Sequence, residues 1–135
     1  MIPYQTKIEK LPGTSYSEVL KRARDTYRAI EKKTKRKPYV RSAYFRKQKV
    51  FFDFFWIHLL EKSHTDRVRR LRYFAAAIDL LKNSRNKPLS IDNPHKQGEI
   101  LHRFAGLTWE GELFYVQVKE DKRNGSKYFM SCFPE

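Results

Sequence analysis

The stretch ELFYVQVKEDKRNGSKYFMSCF, residues 112–133, decides the fold. Apolar and polar side chains alternate from Phe114 to Lys119 and again from Tyr128 onward. That is the period of a strand with one buried face. Between the two runs stands Asn124-Gly125, the strongest short hairpin signal in the chain, because these residues accept the positive φ that a tight hairpin turn demands. If the two residues alone make the turn, Arg123 pairs with Ser126 and Val118 lies opposite Ser131. Paired residues share a face. One face then carries Phe114, Val116, Val118, Phe129, Ser131 and Phe133, and belongs to the core. The other carries Tyr115, Gln117, Lys119, Tyr128, Met130 and Cys132, and is free to receive a ligand. A bulge or a longer loop shifts the register by one and turns Ser131 to that second face.

Outward from the hairpin, Glu99–Ala105 reads as another strand, joined through the glycine-bounded loop Gly106 to Gly111. Residues 83–98 are rich in Asn, Ser, Pro and Lys and read as a loop. Before them the period becomes helical. Ser15 stands three residues ahead of Glu18, a capping-box spacing, and Tyr16, Leu20, Ala23, Tyr27 and Ile30 recur on one helix face as far as about Lys33. Pro38 stops that helix. A short strand at Lys49–Phe52 is followed by Asp53 as the cap of a second helix, Phe54 to about Lys62, apolar nearly all round and expected to be the most buried element. Thr65 or Asp66 caps a third helix, reaching about Leu81 on a stripe of Val68, Leu71, Ala75 and Ile78. The predicted fold is α+β: about three N-terminal helices packed on a C-terminal three- to four-stranded antiparallel sheet. One domain spans 1–135, with 1–14 irregular, 15–82 mainly helical and 99–135 a β-meander.

Charge speaks to partners. The chain of 135 residues carries a formal net charge of +14, which attracts phosphate backbones. Of its 29 Lys and Arg residues, 20 lie at or before Arg72, and the nine between Lys32 and Lys49 are accompanied by no acid. Tyr39, Tyr44, Phe45, Phe51 and Phe52 are interleaved there, a mixture suited to stacking on unpaired bases while holding phosphate. No apolar run nears the roughly 18–20 residues of a membrane span, no signal-peptide core follows Met1-Ile2-Pro3-Tyr4, and a cytoplasmic protein with no membrane partner is expected. Cys132 stands alone, which excludes an internal disulfide and a multi-cysteine zinc site.

Chemistry must come from few residues. Glycine-rich phosphate loops and metal-ligand spacings are absent from the sequence, so neither cofactor nor metal is expected. Cleavage of RNA without a metal needs a base for the 2′-OH, a cation for the phosphorane and an acid for the leaving oxygen. His58 is followed four residues on by Lys62, on the same helix face; it is either a core histidine or an acid–base group beside a phosphate-binding lysine. His102 and Arg103 are strand neighbours that must point to opposite faces. His64 and His95 read as surface residues, and Lys119 as a strand-end lysine or a phosphate ligand.

From about Val50 onward the chain resembles the barnase–EndoU–colicin–RelE (BECR) group of ribonucleases, in particular its phage- and mobile-element-encoded branch. The resemblance is carried by Trp56-Ile57-His58-Leu59-Leu60-Glu61-Lys62, by Arg67-Val68-Arg69-Arg70-Leu71, by Leu101-His102-Arg103-Phe104, by Phe114 to Lys119 and by Tyr128-Phe129-Met130-Ser131. It implies N-terminal helices on an antiparallel sheet and metal-independent RNA cleavage, with His58, His102, Arg103, Lys119 and Ser131 as catalytic candidates. Lys62, Arg67, Arg69, Arg70, Tyr115, Gln117 and Tyr128 are the RNA and phosphate contacts expected of such an enzyme here. The function expected is an endoribonuclease acting on RNA such as tRNA or mRNA, a toxin or conflict protein with an antitoxin or immunity protein as partner. The alternatives are a non-catalytic RNA- or DNA-binding module and a module that meets an acidic protein.

Overall fold

The computed structural model describes residues 1–135. In chain order the elements are β1 (Tyr4–Gln5), α1 (Tyr16–Lys32), β2 (Tyr39–Ser42), β3 (Gln48–Phe51), α2 (Phe55–Leu60), α3 (His64–Leu71), α4 (Phe74–Asn83), β4 (Leu89–Asp92), β5 (Glu99–Leu107), β6 (Leu113–Asp121) and β7 (Lys127–Pro134). The strands form one seven-stranded sheet in the order β1-β5-β6-β7-β3-β2, with β4 paired to β5 on the edge it shares with β1. Two pairings are parallel, β1 with β5 and β3 with β7. The sheet expected from sequence, three or four antiparallel strands, is therefore corrected to a mixed sheet nearly twice as wide. The extra strands are two to four residues long, too short for alternation to show; β1 and β4 are built on the nine-residue β5, and β2 folds back on β3.

The helices differ too. Helix α1 starts where the capping box places it, with the Glu18 amide donating to Ser15 Oγ at 3.3 Å. The single third helix is instead two. Arg72 and Tyr73 interrupt it because both are engaged elsewhere: Arg72 Nη2 donates to the Gly13 carbonyl at 2.6 Å, and Tyr73 Oη to Glu112 at 3.0 Å. The cap of α3 is Ser63. Asp53 does not cap α2; it binds Lys37 at 2.9 Å. Nor is α2 the most buried helix, since Ile57 and Leu60 stand out in solvent. That place belongs to α4, which buries Phe74, Ala76, Ala77, Ile78, Leu80 and Leu81.

The core lies between the helices and one face of the sheet, where Val40, Val50, Phe104, Phe114, Val116, Val118 and Phe129 meet Val19, Ala23, Leu71 and the α4 side chains. Gly106 is required there: a Cβ on it would sit 2.7 Å from the Phe114 ring and 2.8 Å from Leu80. The opposite, more open face displays Arg103, Tyr115, Gln117 and Lys119.

Register along β7 decides what that open face displays. The hairpin is closed by four residues, Lys122 to Gly125, with the Gly125 amide on the Asp121 carbonyl at 2.8 Å and Gly125 at φ 74°. Glu120 thus pairs with Lys127, Lys119 with Tyr128 and Val118 with Phe129. A bulge at Met130 follows, and beyond it Gln117 pairs with Ser131 and Tyr115 with Phe133. Two residues opposing one is what reverses a strand's faces. Ser131 and Phe133, assigned to the core by a two-residue turn, lie on the open face, and Cys132 moves from the ligand face into the core.

Candidate functional site

A cleft of about 440 Å³ opens where α2 and α3 lean over the open face, within the size range of ligand sites. Its floor is Arg103 of β5, Gln117 of β6, and Met130, Ser131 and Phe133 of β7. Its wall is Phe55, His58, Leu59 and Lys62, with Arg70 reaching in from α3. Phe55, His58 and Leu59 share one face of α2, and Lys62 follows two residues beyond the end of that helix. The floor follows from the bulge.

Local bonds orient the polar groups. Arg70 Nε donates to Asp66 Oδ2 at 3.1 Å and Nη1 to Ser131 Oγ at 2.7 Å. The hydroxyl accepts that bond, so its own hydrogen is free for a ligand. Arg70 also lies 5.4 Å from the centre of the Phe133 ring, and Arg103 5.3 Å from the same centre. Arg103 Nη2 reaches Gln117 Oε1 at 3.5 Å. His58 Nδ1 meets Glu61 Oε2 at 3.3 Å; its Nε2 bonds to no protein atom, and with 40% of the side chain exposed a ligand can reach it. Three cations, a free imidazole nitrogen and a hydroxyl donor share one cleft. Such a set suits an anion with a labile proton beside it.

The structure therefore brings His58, Lys62, Arg70, Arg103, Gln117 and Ser131 together. It holds the other candidates elsewhere. His102 faces the core side, buried, with Ser90 Oγ 2.7 Å from its Nδ1 and Glu120 Oε1 2.8 Å from its Nε2, and the Phe45 ring against it. Arg67 closes the end of α2, donating to the carbonyls of Lys62 at 2.9 Å and Leu60 at 2.7 Å. Arg69 pairs with Asp66 at 3.3 Å in solvent. Tyr115 lies on the open face beside Phe133, under Arg103. Lys119 and Tyr128 lie beyond the cleft, with the lysine 4.0 Å from the Phe54 ring and 5.4 Å from the Tyr128 ring.

Some participants escaped the sequence reading. Asp66 fixes Arg70, and its place four residues ahead of an arginine on a helix was a readable sign. Phe133 was hidden by the register, whereas Met130 already stood on the ligand face in the sequence reading. Cys132 offers no nucleophile, since burial pushes its thiol up. Burial alone would raise Glu99, but hydrogen bonds from Asn93 and Lys96 and the charge of Lys119 hold its carboxyl below the usual range. Lys119 is thereby partly neutralised, at 3.4 Å from Glu99. No three His, Cys, Asp or Glu side chains gather as a metal site, and no helix is long and apolar enough to cross a membrane. In comparisons with protein-family models, curated proteins and solved structures, nothing matches the chain.

Proposed function

We propose that the cleft is the active site of a metal-independent endoribonuclease. The observation that carries this reading is the convergence of His58, Lys62, Arg70, Arg103 and Ser131 on one accessible hollow. His58 Nε2 takes the proton of a ribose 2′-OH, and the 2′-oxygen attacks the adjacent phosphorus. Arg70 and Arg103, held by Asp66 and Gln117, stabilise the charge that builds on the phosphorane oxygens, with Lys62 at the rim and the Ser131 hydroxyl as a further donor. The P–O5′ bond breaks, a 2′,3′-cyclic phosphate remains, and the departing oxygen collects its proton from solvent, because the cleft holds no second histidine. The likeness to the BECR nucleases supports the same chemistry. On this reading the protein works in the cytoplasm on RNA such as tRNA or mRNA, and an antitoxin or immunity protein would act by covering the cleft.

The test is incubation with total RNA and purified tRNA in EDTA, wild type beside His58→Ala. Discrete products with cyclic phosphate ends, lost in the variant, support the proposal; intact RNA with wild type at high enzyme concentration overturns it. The open sheet face, rich in rings and cations, favours a second reading, an RNA-binding module that does not cut. That module would bind with steep salt dependence and leave RNA whole.

A further inference from the structure

Beside the cleft, the open face carries a row of rings. Tyr39 of β2 and Phe51 of β3 are opposite partners with centroids 6.0 Å apart, Phe51 and Tyr128 of β7 are 6.1 Å apart, and Phe54 packs on Tyr128 at 5.0 Å. All four are only partly buried. Cations line the row: Lys49 and Arg41 lie 4.6 and 5.5 Å from Tyr39, Lys37 6.0 Å from Phe51, and Lys119 4.0 Å from Phe54. Of the five aromatics interleaved with basic residues in this part of the sequence, these two alone face outward. Tyr44 and Phe45 pack on Phe104, and Phe52 is in the core.

We infer that this row is a binding surface for unpaired bases of a single-stranded RNA whose scissile phosphate lies in the cleft. Rings that are partly exposed on a strand face, one per strand, offer separate platforms running across the sheet. Every base has a π-face, so such platforms bind without regard to sequence, while duplex bases are already stacked on one another. The cations supply the second half of the match, phosphate contact along the same line. An exposed cation–π contact is weaker than a base stack, so an arriving base displaces the ammonium from its ring toward phosphate. Continuity sets the path: Tyr128 stands three residues before Ser131 on β7, and Lys119 two after Gln117 on β6. The acids nearby, Asp53 and Glu99, hold Lys37 and Lys119, which leaves Lys49 and Arg41 beside Tyr39 as the cations free for phosphate. The choice of RNA as the polymer rests on the nuclease reading of the cleft; the stacking row does not.

The experiment is binding of a labelled ten-nucleotide 2′-O-methyl oligouridine, which has no 2′-OH to attack, at moderate salt. Wild type is compared with Tyr39→Ala, Phe51→Leu and Lys49→Ala, each checked for an unchanged melting profile; Phe51→Leu keeps apolar bulk should Tyr39→Ala unfold. Loss of one stacked base weakens binding by about tenfold. Binding that is undiminished in both ring variants, or a matched duplex binding as tightly as the single strand, overturns the inference. Tighter binding of a matched DNA single strand would keep the platform and overturn RNA as its ligand. Since nothing is cleaved in this assay, failure of the nuclease reading shows only in the EDTA digestion, and the two ideas fail separately.

Discussion

Arg70 and Ser131 are joined by a 2.7 Å hydrogen bond between α3 and β7, and that bond exists because the strand is bulged one residue earlier. Without the extra residue at Met130, the serine would lie beneath the sheet among the core side chains. The pair ties the reach of the arginine to the register of the last strand, so the cleft and the hairpin stand or fall together.

Ser131→Ala therefore removes the acceptor that fixes Arg70 and one donor to the phosphorane. Turnover of an RNA substrate falls by about 10², while the fold is retained, and Ser131→Thr restores part of the rate. Equal activity of Ser131→Ala and wild type in a single-turnover assay would remove the serine from the site.

His58→Ala is expected to lower the cleavage rate by about 10²–10⁴. Its side chain is partly exposed and bonded only to Glu61, so stability changes by less than about 0.5 kcal/mol. A large loss of stability in urea unfolding would mark His58 as structural instead.

His102→Ala should do the reverse. It removes a buried imidazole that bridges the exposed Ser90 and the partly buried Glu120, a cost of about 1–3 kcal/mol for two hydrogen bonds, with cleavage by the remaining folded protein close to wild type. Unfolding curves and rates normalised to folded fraction separate the two effects.

How much of this was legible is answered by these residues. The pairing of His58 with Lys62 and the opposed faces of His102 and Arg103 are periodicities, and sequence carries periodicities directly. Ser131 was not decidable, because the four-residue loop and the Met130 bulge each change the pairing and neither has a sequence mark that outweighs Asn124-Gly125. The break at Tyr73 was hidden for another reason: the helical stripe runs on through it, and the interruption is caused by Gly13 and Glu112, both distant in sequence. Strands as short as β1 and β4 have no pattern to read, since their partner β5 makes them.

Gly106→Ala should destabilise by about 1–3 kcal/mol, because the added methyl meets Phe114 and Leu80 below contact distance. A melting temperature equal to wild type would show that the ring can yield.

Alkaline stability is set in part by Tyr73. Burial, with the Glu112 hydrogen bond, raises its phenol from 10.0 to about 12. The raised group contributes stability in full below pH 10, and the contribution disappears as pH rises through about 12. Urea unfolding of wild type and Tyr73→Phe from pH 8 to 12 should show a gap that narrows across the upper part of that range. A gap constant with pH would exclude the phenol as its source.

The position of β7 has a consequence for how the molecule is made. This strand lies inside the sheet, between β6 and the much earlier β3, and Ser131 must meet a helix some sixty residues upstream, Arg70 lying 61 positions away. Contacts so distant along the chain form late and slowly. During synthesis, a ribosome-bound chain that stops at residue 120 has the basic arm and all the helices but no hollow for a phosphate. The cleft arises only once the seventh strand has been threaded into place between two strands already made.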